Sequence, residues 1–247
     1  MIKIDNVDVF GWESAIRGMR NPMNSWDKSD SGKGCTRKNW NGEVTSTCEN
    51  CEYIRGDKVS PCYSNKFIIG EHDLKLMKSL SKAGSDHGKF LRMINVTLDI
   101  TAPLYWWKEF DTYKVGTVAN SCSTMHKIHS KEITKDDFSF DQRDEDVAKK
   151  CELYVDEFAC YCSPEEIIVA ICENLRLNYE KTKDKRYWRY LIQILPDSYD
   201  QKRTVQLNYQ VLKSMYFARK NHKLDEWVEF CKWIETLPYF REICLGE

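Results

Sequence analysis

Neither sign of charge prevails in this sequence: 37 lysines and arginines stand against 38 aspartates and glutamates, a formal net charge of −1. So balanced a chain sets up no field for a polyanion, and no nucleic-acid partner is expected. A run of 18 apolar residues is also missing, which argues against a membrane-spanning helix and leaves no membrane partner expected. Met1 leads directly into "IKIDNVDVF" without a signal peptide, so a cytoplasmic protein is expected. The eleven cysteines are odd in number and come without an export signal, which disfavours a disulfide framework. Reduced thiols or a metal site fit them better. There is no internal repeat, low-complexity tract or obvious linker. What is present, in 247 residues that are 42% hydrophobic and 13% aromatic, is enough to bury a sizeable core.

Periodicity supplies the elements. "MIKIDNVDVF" alternates as a strand, and "ESAIRGMR" reads as a short helix. From "NSWDKSDSGKG" to Cys62 the chain turns polar and loses its period, as a loop or insertion does. "GEHDLKLMKSLSKAG" places Leu74, Leu76, Met77 and Leu80 on one face, with Gly84 as a C-terminal cap. "MINVTLDI" is the clearest strand, Ile94, Val96, Leu98 and Ile100 on one side and Asn95, Thr97 and Asp99 on the other. "APLYWWKEFDTY" follows as a helix with Pro103 in its first turn, and residues 116 to 123 read as a loop of small and hydroxylated residues. Residues 131 to 150 read as charged loop. Ser163, Pro164 and Glu166 form a capping box ahead of a long helix. "DKRYWRYLIQIL", "TVQLNYQVLKSMYFARK" and "LDEWVEFCKWIETL" are three more helices. The sum is an α+β single domain, richer in helix than strand, with a cysteine-containing insertion at about 30 to 66.

Cys35, Cys48, Cys51 and Cys62 include one CxxC pair, "CENC", whose two thiolates have the spacing that tetrahedral zinc takes. The second knuckle of a zinc site is missing, so the four are either metal ligands or free thiols in a loop. Cys160 and Cys162, in "CYC", stand beside a helix start as unpaired thiols. His126 and His129 are three apart, but no carboxylate or cysteine completes a ligand set near them.

Four stretches in order resemble the flavin-dependent thymidylate synthases. "NVTLDI", the Ala102–Pro103 corner, the aromatic helix and the Asn/Ser-rich segment resemble the signature region, in which a helix ends in Arg-His-Arg and a serine follows seven residues later. "SAIRGMR" resembles the Ala-x-Arg-x-x-Arg segment and gives Arg17 and Arg20. "DHGKFLRM" resembles a Gly-His segment and keeps His87. "LPDSYDQKRTVQLNYQVLKSMYFAR" has the spacing from Leu195–Pro196 to Asn208 to Arg219. The resemblance implies a helix-rich fold with a central antiparallel sheet, and a homotetramer whose active sites lie between subunits. It implies FAD, with NADPH and methylenetetrahydrofolate as co-substrates, and dUMP as the nucleotide methylated to dTMP. By the same likeness Arg219 and Ser123 are the catalytic candidates. Lys114, Asn120, Ser121, Arg17 and Arg20 are candidates for the nucleotide, and His87, Tyr113, Asn208 and Gln210 for the flavin.

The departures concern anion-binding arginines. Arg-His-Arg falls at Thr112-Tyr113-Lys114 or Tyr113-Lys114-Val115, with one cation at most. Ile192 and Gln210 stand where the family has arginine. Each lost guanidinium removes a charge-assisted hydrogen bond worth about 1.5–3 kcal/mol. Lys108, Lys127, Arg189, Lys202 and Arg203 remain to replace them. Three readings stay open: a thymidylate synthase-like enzyme, an enzyme of the same fold acting on another pyrimidine nucleotide, and a non-catalytic nucleotide- or zinc-binding module. The composite site makes assembly a first test. Light scattering is expected to give four chains per particle, and a stable monomer at micromolar concentration would exclude a shared active site.

Overall fold

The computed structural model describes residues 2–35, 65–140, 145–155 and 160–247. In chain order these form β1 (Lys3–Phe10), α1 (Trp12–Arg20), β2 (Gly32–Cys35), β3 (Asn65–Ile68), α2 (Glu71–Lys82), β4 (Asn95–Pro103), α3 (Leu104–Phe110), β5 (Val118–Ser121) and α4 (Thr124–Lys127). Then come α5 (Glu145–Lys150), β6 (Leu153–Val155), β7 (Cys160–Cys162), α6 (Pro164–Thr182), α7 (Lys185–Ile194), β8 (Asp200–Asn208), α8 (Tyr209–Arg219) and α9 (Asp225–Glu235). The fold is α+β and helix-rich, around a central antiparallel sheet in the order β1-β4-β8-β5. Two small ribbons, β2 with β3 and β6 with β7, stand apart from it. Among the described residues no helix is long and apolar enough to cross a membrane. Residues 36 to 64, which carry most of the expected insertion, lie outside the described residues.

Contacts group the chain into two units. The first holds residues 1–7, 97–206 and 222–230. Its core begins with β4, where Leu98, Ile100 and Ala102 are buried in alternation with more exposed neighbours, as a two-residue side-chain period requires. Pro103 is not in the helix: it ends β4 and is the N-cap of α3, with an extended backbone at ψ 152°. The α3 aromatics form a knot with α9. The Trp106 ring lies 4.8 Å from Trp227, 5.0 Å from Trp107 and 5.1 Å from Phe110, and all four are fully buried. Each such ring contributes about 1.5–3 kcal/mol by burial. Polar tips are satisfied at the rim: the Trp107 indole donates to the Gln201 carbonyl at 2.9 Å, and the Trp227 indole to Glu109 at 3.0 Å. A second cluster joins Ile128, Ile133 and Phe138 to Cys172 and Leu175 of α6 and Leu191 of α7. The capping box is as expected, Ser163 N–H donating to Glu166 at 2.8 Å and Glu166 N–H to the Ser163 hydroxyl at 3.4 Å.

The second unit holds residues 8–96, 207–221 and 231–247. Gly11 opens α1 at φ 95°, where any side chain would be strained and a Cβ would meet the Met93 carbonyl oxygen at 2.0 Å. Gly84 follows α2 at φ 104°, the left-handed residue its position called for. On α2 the most buried positions are Asp73, Met77 and Ser81, with the leucines at the margins. Asp73 is 0% exposed and Arg20 5%. The Arg20 guanidinium donates to Asp73 at 2.7 Å and to the carbonyls of Ser25 and Lys28 at 3.1 and 3.0 Å. The second Asp73 oxygen accepts from the Ser29 and Ser31 hydroxyls at 2.7 and 2.6 Å.

Three further expectations are corrected. Residues 204 to 208 are strand: β8 carries Thr204–Asn208, and the helix begins only at Tyr209. Val205 and Leu207 are buried while Thr204 and Gln206 are exposed, a period of two that merges into the helical pattern after Asn208. Residues 118 to 121 of the expected loop form β5, an edge strand exposed at every position. The charged stretch 131 to 150 contains α5.

Breaking the buried pair is expected to cost about 3–5 kcal/mol, because one uncompensated charge remains inside. In urea denaturation Asp73→Ala therefore loses most of the stability of the protein, whereas Arg17→Ala, exposed on the same helix as Arg20, changes it by less than about 0.5 kcal/mol. The double variant Arg20→Met, Asp73→Leu is expected to recover much of the loss.

Candidate functional site

In the first unit β5 pairs antiparallel with β8, setting Asn120 opposite Thr204 and Ser121 opposite Arg203. The ladder runs one residue further, Cys122 N–H donating to the Lys202 carbonyl at 2.9 Å. The Gln201 amide then holds the Cys122 carbonyl at 3.0 Å. This fixes where the chain leaves the sheet, and Ser123 follows as the N-cap of α4. Its oxygen accepts the His126 N–H at 3.1 Å, so the hydroxyl proton stays available to a ligand.

Ser123 stands on the wall of a cleft of about 180 Å³. Lys127, Lys131 and Lys202 are the cationic residues of its lining, and Thr124 and Ser130 its other hydroxyl-bearing ones. Asp200 is the acid of the lining; it accepts from Ser139 at 2.8 Å. The Tyr199 phenol on the same wall is pushed up to about 12 by burial and stays neutral. Lys131 is ion-paired with Asp137. Lys202 is held by Asp99 at 2.9 Å. Asp99 accepts from Thr204 at 2.6 Å and from Asn6 at 2.8 Å. Those two bonds and Lys202 bring its carboxyl down to about 2, and the carboxylate in turn raises the Lys202 ammonium. Among the described residues the Lys127 ammonium has no carboxylate partner within bonding distance. Ammoniums and hydroxyls around so small a volume suit a phosphate group, not a whole nucleotide, since pockets for whole ligands run from about 300 Å³ upward.

Lys114 and Tyr113 line a second cavity in the same unit, of about 340 Å³, with Phe110, Asp111, Thr117 and Ala119. Lys114 is exposed, and among the described residues the buried Thr117 hydroxyl has no hydrogen-bond partner.

The other expected residues belong to the second unit. Arg17 is exposed and lines a cavity of about 350 Å³ with Glu13, Trp26 and Phe67. Arg20 touches the same cavity, but its guanidinium is engaged by Asp73 and two carbonyls, so its evident role is structural. His87 is exposed ahead of a 3₁₀ turn at Gly88–Arg92. Asn208 is nearly buried and caps α8, accepting the Val211 N–H at 3.1 Å, and Gln210 follows in the first helical turn. Arg219 ends α8, near the Cys231 thiol that burial raises to about 11.

Sequence reasoning named Lys127 and Lys202 as cations that might replace lost arginines, and the structure sets both beside Ser123. It set Lys131 within a charged loop and missed it, because no pattern marks that lysine. Of the remaining cations, Lys108 pairs with Asp197, and Arg203 pairs with Asp111 at 2.7 Å and lies over the Trp107 ring at 4.2 Å. Cys48, Cys51 and Cys62 lie outside the described residues, and of Cys35 only the backbone is described. Among the described residues no group of three or more His, Cys, Asp or Glu is placed to hold a metal ion.

No protein-family model matches the sequence, and no curated protein matches it. Solved structures do. The flavin-dependent thymidylate synthase ThyX from Helicobacter pylori, complexed with FAD and dUMP, is similar over 99% of this chain and 98% of its own, with a TM-score of 0.60 and 16% identity. A second structure of that enzyme gives 0.60 at 15% identity over 100% and 98%. The UMP/dUMP methylase PolB from Streptomyces cacaoi, bound with 5-Br dUMP, gives 0.53 at 13% identity over 96% and 89%. At identities this low the likeness shows the fold alone.

The Asp99 network makes a pH prediction about the cleft wall. Its folded pKa is depressed, so its contribution is fully present above about pH 4, the ordinary aspartate range, and is lost as pH falls through about 2. The gap in thermal midpoint between wild type and Asp99→Asn is expected to be widest near neutrality and to close toward pH 2. A gap unchanged across that range would show that the carboxylate charge does not hold Lys202.

Proposed function

We propose that the chain binds a pyrimidine nucleoside monophosphate and carries out a thymidylate synthase-like reaction, the reductive transfer of one carbon to dUMP giving dTMP. The observation that carries this reading is the cleft beside Ser123, which three lysines line together with the residue that matches the family's motif serine. The phosphate is held by Lys127, Lys131 and Lys202, with the Ser123 and Thr124 hydroxyls donating to its oxygens. These lysines stand in for the missing guanidiniums. The solved neighbours support the reading, since two are named as complexes with FAD and dUMP and one as bound to a dUMP analogue. Arg219 is proposed to face the pyrimidine, where a permanent planar cation stabilises negative charge developing on the ring.

FAD is proposed as cofactor, with NADPH and methylenetetrahydrofolate as co-substrates. His87, Asn208 and Gln210 line none of the three cavities above, and the Asn208 side-chain amide oxygen already accepts from the Val211 N–H. The flavin site is proposed to be completed by side chains from a second subunit of the tetramer. A second reading, methylation of a ribonucleotide, is favoured by the neighbour named for both UMP and dUMP.

The test is a calorimetric titration of dUMP, UMP and dCMP, with and without FAD, joined to an assay of dTMP formation. Ser123→Ala is expected to lose about 0.5–1.5 kcal/mol of nucleotide affinity, one neutral hydrogen bond, and Lys127→Ala about 1.5–3 kcal/mol, less at high salt. Arg219→Ala and Arg219→Lys are both expected to cost about 2 kcal/mol or more in turnover while leaving flavin content unchanged. If no nucleotide binds the wild type in either condition, the reading fails.

A further inference from the structure

The β6–β7 ribbon holds two thiols that the nucleotide reading does not use. Register sets Leu153 opposite Cys162, Tyr154 opposite Tyr161 and Val155 opposite Cys160. A two-residue period therefore puts Cys160 and Cys162 on one face, with Tyr154 and Tyr161, rings 5.3 Å apart, on the other. The two sulfurs lie 3.6 Å from each other. Cys160 is exposed and Cys162 buried. We propose that Cys160 and Cys162 form a thiol–disulfide exchange site for oxidised low-molecular-weight disulfides of the glutathione class, closing reversibly to an intramolecular disulfide.

The chemistry follows from the difference between the two thiols. Contact with Cys160, then burial and the nearby Glu166 and Glu152 carboxylates, push the Cys162 thiol up and keep it protonated. The first encounter therefore falls to Cys160. Its proton passes to solvent, and the thiolate attacks one sulfur of the small disulfide, forming a mixed disulfide and releasing one small thiolate. Cys162 then loses its proton, attacks the Cys160 sulfur and expels the second small thiolate. Two protein thiols are oxidised and one small disulfide is reduced to two thiols. The sulfurs must close from 3.6 Å to about 2.05 Å, a movement that side-chain rotation supplies. Residues two apart on a strand have Cα atoms about 6.6 Å apart, near the upper limit for a disulfide, and so short a loop gains little closure entropy. Such a bond is reduced readily; it is no structural staple. Cys172, Cys231 and Cys244 differ, being raised to about 11, 11 and 12 by burial, and among the described residues none of them has a partner sulfur within bonding distance.

The experiment incubates the full-length protein with oxidised glutathione, quenches in acid with an alkylating agent, and maps peptides by mass. The expected product is a peptide spanning residues 160–162 lighter by two hydrogens and carrying neither glutathione nor alkyl groups. Cys162→Ser is expected to stop at the mixed disulfide on Cys160, and Cys160→Ser to lower the rate of reaction at the remaining thiol by about tenfold or more. Cys162→Ala gives the same trap if a buried hydroxyl perturbs the ribbon. A wild type that accumulates a stable glutathione adduct on Cys160, as the Cys162 variants do, would overturn the proposal. So would Cys160 and Cys162 remaining thiols while the exposed Cys122 and Cys151 are modified.

Discussion

A carboxylate with no access to water must be compensated, and Asp73 imposes that requirement on its whole surroundings. Isolated in the interior, its charge would cost several kcal/mol. The structure answers with a guanidinium, two hydroxyls and a backbone N–H, drawn from Arg20, Ser29, Ser31 and Asp30. None of these donors is near Asp73 in sequence, so the chain from α1 to β2 has to lie against α2. The consequence for function is a subtraction. Arg20 sits in a segment where resemblance suggests a ligand-binding arginine, yet every direction of its fork already has an acceptor. Arg17, one helical turn earlier and exposed, is the cation of that segment still open to a partner.

The same accounting runs through the first unit, where pairing decides which cations can meet a ligand. Arg203 is held by Asp111, stacked over Trp107 and bonded to Gln201, so it braces β8. Lys108 is paired to Asp197 and Arg176 to Glu173. What remains around Ser123 is graded. Lys127 is unpaired among the described residues, while Lys131 and Lys202 are tethered by Asp137 and Asp99. A tether need not disable a lysine. With three donors on one ammonium, a carboxylate at 2.9 Å can fix the side chain and leave the others free for a phosphate oxygen.

How much of this was legible in the sequence follows from the range of the interactions. β4 was plain because its alternation is local and its buried side is all aliphatic. The α6 cap was plain because Ser163 and Glu166 are three apart. β8 was joined to the helix after it, since Val205, Leu207 and Tyr209 carry an apolar series straight across the cap at Asn208. β5 gave no signal: Val118–Ser121 is short, exposed and small, and only its ladder with a strand more than 80 residues away makes it a strand. The cleft was half legible. Motif spacing pointed to Ser123, and Lys127 lies one helical turn beyond it. Lys202 reaches the cleft only through that β5–β8 register, and the tie between Arg20 and Asp73 spans 53 residues.

Replacing arginines by lysines changes the character of a phosphate site as well as its strength. A guanidinium offers a rigid planar fork that matches two phosphate oxygens, whereas an ammonium is a compact, strongly hydrated charge on a flexible stem. A site of three lysines therefore attracts an anion with less geometric selectivity, and more of its attraction is screened by salt. Discrimination among nucleotides must then come from elsewhere. In the cleft the fixed elements are the Ser123 cap, the Gln201 amide bonded to the Cys122 carbonyl, and the β5–β8 ladder that positions both. In the proposed reading, the hydrogen-bonded backbone beside the serine, more than the lysines around it, is what holds a phosphate in one orientation and aims the rest of the nucleotide.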